Sequence, residues 1–96
     1  MNLLIVDDEA AARAALIELC RRSSDLSVVA EANSGAKAIE AANALRPDLT
    51  FLDSEMPDMT GLDVLRALPV RHQRRTVLVA ASTQDAETGF AVGALD

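Results

Sequence analysis

The sequence has few aromatic residues and a single cysteine. Phe51 and Phe90 are its only aromatic side chains, and it has neither Trp nor Tyr, so the core must be built from Leu, Val, Ile and Ala. The lone Cys20 cannot form a disulfide within the chain. A protein without disulfides is typical of a reducing compartment, which favours a cytoplasmic location.

Long apolar runs and clustered positive charge are also missing. No stretch approaches the ~18–20 apolar residues that a membrane-spanning helix needs, and the N-terminus has no secretory signal pattern. Nine basic residues face fifteen acidic ones, for a net charge of −6. This balance argues against direct nucleic acid binding by this chain, which requires a concentrated basic surface. Arg71, His72, Arg74 and Arg75 do cluster, but in a predicted loop, where a solvated connection is favoured over a binding patch.

Strand and helix patterns alternate along the whole chain. Short apolar runs predict strands at 3–6, 26–30, 49–53 and 76–80, and helical spacing predicts helices at 10–22, 34–46, 61–68 and 85–92. Alternation of this kind predicts a single α/β domain with a parallel sheet and right-handed crossovers. At 96 residues the chain has room for one such domain.

Carboxylates follow two of the predicted strands directly. Asp7 and Asp8 come after the first strand, and Asp53 ends the third. Parallel strands deliver their ends to one edge of the sheet, where ligands bind in open α/β folds. Three converging carboxylates repel one another unless a cation lies among them, and hard oxygen ligands with several waters suit Mg²⁺. Such a site makes aspartyl phosphate chemistry possible. The alternative is that the acids only favour a helix N-terminus and cap a loop.

Four motifs, in this order and spacing, resemble a bacterial two-component response regulator receiver domain: LIVDDE at 4–9, LDSEMP at 52–57, TGL at 60–62 and FAVGALD at 90–96. The resemblance implies a flavodoxin-like doubly wound sheet. The ending at 93–96 and the short fourth loop resemble, more weakly, receivers joined to LytTR-type DNA-binding domains, and so imply transcription regulation.

The resemblance also implies roles for individual residues. Asp53 matches the phosphoacceptor, which takes a phosphoryl group from a sensor histidine kinase. Asp8 matches a direct Mg²⁺ ligand, and Asp7 a neighbour that acts partly through water. The carbonyl of Glu55 and the carboxylate of Asp53 match the remaining protein ligands of the Mg²⁺.

The sequence departs from the family pattern at two places. Where the family has a switch hydroxyl at the end of strand four, this chain has Ala80, although a slip of two residues would bring Ser82 there. The family's fifth strand, its Lys and its last helix lie beyond the matched region, and Lys37, the only lysine, falls near the start of the second helix. We therefore expect a C-terminally incomplete receiver with strand order 2-1-3-4. Its fourth strand would be an exposed edge, open to self-association.

These observations predict a signalling module rather than an enzyme. The leading interpretation is a Mg²⁺-dependent phosphoacceptor whose phosphorylation and switching are impaired. A pseudo-receiver that acts only through protein contacts is the alternative. An aspartyl phosphohydrolase would carry Asp-x-Asp-x-Thr/Val after the first strand, and the sequence at 7–11, DDEAA, lacks the second Asp and the Thr.

Overall fold

The computed structural model describes residues 1–81 and 90–94. Within these residues the elements are β1 (Asn2–Val6), α1 (Ala10–Arg21), β2 (Ser27–Ala32), α2 (Gly35–Leu45), β3 (Leu49–Asp53), α3 (Gly61–Ala67), α4 (Val70–Gln73), β4 (Thr76–Ala81) and β5 (Phe90–Ala94). The four predicted strands and the first three predicted helices are present, with bounds within two residues of those expected.

The strands form one sheet in the order β2-β1-β3-β4-β5. β1 pairs in parallel with β2 on one side and with β3 on the other, and β3 pairs in parallel with β4. The predicted α/β class and the order 2-1-3-4 of the parallel strands are therefore confirmed.

β5 corrects the prediction for the end of the chain. Phe90–Ala94 pairs antiparallel with β4, so the expectation of a helix continuing to Val92 is wrong. The rest of that predicted helix, 85–89, lies outside the described residues. The prediction failed because a run of five residues is too short for its apolar periodicity to distinguish a strand from a helix. Because it runs antiparallel, β5 is not a continuation of the parallel sheet.

β4 is not an edge strand in this structure. It lies between β3 and β5, and its residues Val77 to Ala81 pair with the strand at 90–94. Its backbone donors and acceptors therefore have partners on both sides, which removes the surface that the predicted self-association through strand four required.

The connection before β4 holds a short helix instead of the predicted loop. α4 begins after Pro69, whose carbonyl accepts hydrogen bonds from the backbone N–H groups of His72 and Gln73. His72 is buried, and its backbone carbonyl accepts a 2.6 Å bond from the Thr76 hydroxyl. The arginines at 71, 74 and 75 are exposed.

The sheet is covered on both faces. Along β1, Leu4 and Val6 pack into one core with residues of α2 and α3, whereas Leu3 and Ile5 pack into a second core with Cys20 of α1. All four β1 residues are fully buried, as expected for a strand inside a parallel sheet. None of the helices described combines the length and the apolar character that crossing a membrane takes.

Candidate functional site

The ends of β1 and β3 lie side by side at the carboxyl edge of the sheet. Val6, the last residue of β1, is in register with Leu52 of β3, and the next residues along the chain are Asp7 and Asp53. The backbone N–H of Asp7 donates to the carbonyl of Ala32 in β2 at 3.0 Å. The parallel register thus brings two acids that are distant in sequence to one place, as the sequence predicted.

Three carboxylates form a compact acidic cluster, which consists of Asp7, Asp8 and Asp53. Each offers a carboxylate oxygen, and these oxygens all lie within 4.8 Å of one another. Asp7 is buried, with 5% of its surface exposed, and the other two are partly exposed. The cluster lines a cleft of about 150 Å³, whose other walls are Glu9, Ala12 and Glu55.

At the ends of β1 and β3, the carboxylates of Asp7 and Asp53 are held by the same kind of hydrogen bond. Asp7 Oδ1 accepts a 2.9 Å hydrogen bond from the backbone N–H of Glu9, and Asp53 Oδ1 accepts a 3.2 Å bond from that of Glu55. In each case the side chain bonds to the backbone two residues onward, a turn that Asp favours. One oxygen of each carboxylate is thereby oriented, and the other stays available to a ligand.

The surroundings of Asp53 change its acidity. Its pKa is raised from 3.8 to about 6, chiefly because burial disfavours the charged form. The negative charges of Asp7 and Asp8 raise the pKa further, whereas the hydrogen bond from the Glu55 N–H lowers it. A cation bound nearby would favour the ionised form of this carboxyl group and so lower its pKa.

The loop after β3 turns back tightly against the strand that carries Asp53. The backbone N–H of Gly61 donates to the carbonyl of Ser54 at 2.8 Å. A Cβ atom at position 61 would lie 2.7 Å from the carbonyl oxygen of Asp53, closer than any ordinary contact. Only glycine fits this approach without a shift of the backbone. Thr60 and Asp63 then begin α3 with reciprocal side-chain to backbone hydrogen bonds.

A second acid in this loop, Asp58, has a structural role that the sequence did not reveal. Its Oδ1 accepts from the backbone N–H of Gly35 at 3.0 Å, and its Oδ2 from that of Ala36 at 3.1 Å. These bonds hold its pKa below the usual range. The donors are 23 and 22 residues away in sequence, so no local pattern could have shown the contact.

The remaining predicted site residues fall as follows. Glu55 lines the acidic cleft. Ala80 lies in β4, one residue beyond Val79, which is the register partner of Asp53. Ser82 lies outside the described residues. Lys37 is in the first turn of α2 and lines a different cleft, beside Arg13 and Asn33.

Comparison with known proteins identifies the family. The sequence pattern of the response regulator receiver domain matches residues 3–96. The chain belongs to this family. The predicted resemblance is therefore confirmed, and the acidic cluster lies in a receiver domain.

Relatives of this receiver domain include regulators and one class of enzyme. A protein-glutamate methylesterase/protein-glutamine glutaminase of Pyrococcus horikoshii is 39% identical over 85 residues, which cover 88% of this chain and 23% of the relative. The transcriptional regulatory protein BtsR of Escherichia coli is 35% identical over 96 residues, 100% of this chain and 40% of the relative. The receiver domain therefore spans less than half the length of these curated relatives.

A solved structure supports the fold. The response regulator domain of CheB from Thermotoga maritima superposes with a TM-score of 0.79 at 32% identity, and the match covers 84% of this chain and 60% of that one. The similarity is to the regulator domain of that protein, which agrees with the receiver fold described above.

Proposed function

We propose that this receiver domain accepts a phosphoryl group on Asp53 from a histidine kinase, in a Mg²⁺-dependent reaction. The observation that carries the proposal is the convergence of Asp7, Asp8 and Asp53 to within 4.8 Å in a member of the receiver family. The module acts in signal transduction, and we assign no enzyme activity of its own to it. We place it in the cytoplasm, since its one cysteine, Cys20, is a free thiol, which is typical of a reducing compartment.

The donor set fits Mg²⁺. Three carboxylates in a small, partly open cleft supply hard oxygen ligands and leave space for water, which Mg²⁺ prefers over a fully protein-lined cage. Asp7, Asp8 and Asp53 would hold the ion together with the backbone carbonyl of Glu55. When bound, Mg²⁺ supplies positive charge against the carboxylates and the incoming phosphoryl oxygens.

Asp53 is the proposed nucleophile. One of its carboxylate oxygens forms a bond to phosphorus while the P–N bond of the donor phosphohistidine breaks, and the imidazole nitrogen keeps the electron pair. The carboxyl group must be ionised to attack. A pKa of about 6 leaves it mostly ionised at pH 7 without any cation, and a bound cation favours the ionised form further.

Beryllofluoride with Mg²⁺ tests the proposal, because it mimics a phosphoryl group on a carboxylate. In the labelled protein we expect chemical-shift changes at Asp53, its cleft neighbours and Ala80, with no such changes in Asp53→Asn. Mg²⁺ alone should shift the resonances of Asp7 and Asp8. Unchanged spectra with both reagents in excess would rule out a working acceptor.

The residue at position 80 favours a second candidate function. Ala80 follows the register partner of Asp53 and has no hydroxyl with which to contact a phosphoryl oxygen. A pseudo-receiver that works through protein contacts alone needs no such group. It predicts that Asp53→Asn leaves the partner binding and signalling output of the protein unchanged, whereas a phosphoacceptor predicts their loss.

A further inference from the structure

Arg13 connects α1 to the exits of both β1 and β2. Its Nη1 donates a 2.8 Å hydrogen bond to the backbone carbonyl of Asp7, and its Nε lies 3.2 Å from Glu31 Oε1. Only 19% of the Arg13 side chain is exposed, against 51% for Glu31. The guanidinium is thus held between a strand end and an acidic anchor, and is not a freely solvated surface charge.

The carbonyl that accepts from Arg13 belongs to the peptide that joins Asp7 to Asp8. The peptide is planar, so a hydrogen bond on its oxygen orients the whole plane and, with it, the N–Cα bond of Asp8. The peptide before Asp7 is held by its own N–H, which donates to Ala32 at 3.0 Å. The backbone is therefore anchored on both sides of Asp7.

Arg13 does not line the acidic cleft. The guanidinium is paired with Glu31 on the β2 side of β1, and the acidic cleft lies on the β3 side, where Asp53 is. The groups that shift the pKa of Asp53 are its own burial, the Glu55 N–H, Asp7 and Asp8. The contact through which Arg13 reaches the cluster is its hydrogen bond to the backbone carbonyl of Asp7.

We propose that Arg13 is a positioning residue for the metal site, which acts by fixing the Asp7–Asp8 peptide, and that Glu31 anchors the guanidinium. The inference rests on the proposed Mg²⁺ site. It predicts that Mg²⁺ affinity depends on a residue whose side chain bonds to the backbone of Asp7 and to none of the three carboxylates of the acidic cluster. Groups that orient ligands in this way typically change metal affinity 10- to 100-fold when removed.

The test is to measure Mg²⁺ binding by calorimetry and by the shifts of the amide resonances of Asp8 and Asp53. Each variant is measured at a temperature where circular dichroism shows that it is folded. Arg13→Met should bind Mg²⁺ roughly tenfold more weakly than the wild type. Glu31→Gln should show a smaller loss. The double variant should bind no more weakly than Arg13→Met, because both changes act through one contact.

Two arginine variants separate positioning from charge. Arg13→Lys keeps the charge but cannot reproduce the planar fork that reaches both partners, so we expect it to recover only part of the affinity. Arg66→Met removes one exposed positive charge from α3 and should bind like the wild type. Wild-type affinity in Arg13→Met, full recovery in Arg13→Lys, or equal losses in Arg13→Met and Arg66→Met would each overturn the proposal. If Arg13→Met does not fold, wild-type affinity in Glu31→Gln would overturn it.

A measurement without metal distinguishes this inference from the proposed function. In Mg²⁺-free protein, loss of the bond to the Asp7 carbonyl should move the amide nitrogen resonance of Asp8 in Arg13→Met. If the wild type binds no Mg²⁺, the proposed function is contradicted. The Asp8 amide resonance would then still show whether Arg13 holds the Asp7–Asp8 peptide. A wild type that binds Mg²⁺ with the same affinity as Arg13→Met would sink only the role of Arg13.

Discussion

At the scale of the residue, the surroundings of Asp53 act on its pKa in opposite directions. Burial and the neighbouring charges of Asp7 and Asp8 favour the protonated form, whereas the N–H of Glu55 and a bound cation favour the ionised form. A nucleophile needs the ionised form, and the metal site needs the same charge. The proton and Mg²⁺ therefore compete for this carboxylate.

We expect Asp53 to titrate near pH 6 in Mg²⁺-free protein, as its pKa of about 6 requires. The pKa in the folded state is higher than in the unfolded chain, so between about pH 4 and about pH 6 the folded state holds more protons. The free energy of unfolding should therefore fall as the pH rises through this window, and stay level above it. Carbon NMR of the carboxyl group gives the titration, and chemical denaturation across the window gives the stability.

Asp53→Asn is the control for this titration, because it keeps the shape and removes the ionisation. Its free energy of unfolding should exceed that of the wild type by an amount that grows from pH 4 to pH 6. Apparent Mg²⁺ affinity of the wild type should weaken as the pH falls below about 6. A wild-type Asp53 that titrates near 3.8 would contradict the desolvation that the cleft imposes.

At the scale of the element, the acceptor loop is joined to helix α2. Asp58 accepts from the first two N–H groups of α2, and the Ser34 hydroxyl accepts from the third, that of Lys37. The N–H groups that a helix N-terminus leaves without partners are thus shared between the helix's own cap and a remote loop. A Cβ atom at Gly35 would lie 2.8 Å from the side chain of Met59, so this loop also packs closely on the helix start.

Asp58→Ala should lower the midpoint temperature and loosen the acceptor loop, because it removes both bonds to α2. The pKa of Asp58 is lowered in the folded state from 3.8, so its stabilising effect is present above about pH 4 and is lost as the pH falls through the lowered pKa. The difference between the variant and the wild type should therefore shrink in acid. Hydrogen exchange at the amides of Glu55 and Met59 measures the loosening.

Ser34→Ala is the matched change within the same helix start. It removes the cap to Lys37 but leaves the loop contact intact, and caps of this kind contribute about 1 kcal/mol. We expect it to destabilise the domain without faster exchange at Glu55. Equal exchange rates in the two variants would show that Asp58 stabilises α2 alone and does not restrain the loop.

At the scale of the whole molecule, sequence reasoning succeeded where neighbouring residues carry the signal. Asp7 and Asp53 each follow an apolar run directly, and parallel pairing then brings them together. Asp58 and Arg13 were missed because their partners are remote: 22 residues separate Asp58 from Ala36, and 18 separate Arg13 from Glu31. Residues 90–92 were wrongly assigned to a helix, because the five-residue strand that pairs with β4 is too short for its apolar periodicity to distinguish a strand from a helix.

The fold and the acidic cluster together imply that Mg²⁺ should stabilise the entire domain. Three carboxylates held within 4.8 Å repel one another in the folded state only, so a cation that binds there favours folding. At ten times its Kd, Mg²⁺ should raise the free energy of unfolding by about 1.4 kcal/mol. For a domain of this size, that corresponds to a midpoint increase of about 6–11 °C in a thermal melt.

Asp8→Asn tests whether this stabilisation comes from the cluster. Removal of one of three like charges should make the metal-free variant more stable than the wild type, while its response to Mg²⁺ is lost. Glu18→Gln removes an exposed acid from α1 and should respond to Mg²⁺ as the wild type does. NaCl at matched ionic strength separates specific binding from the screening of charge. A wild-type midpoint that rises equally with NaCl and with Mg²⁺ would mean that the cluster is a set of screened surface acids and does not bind the ion.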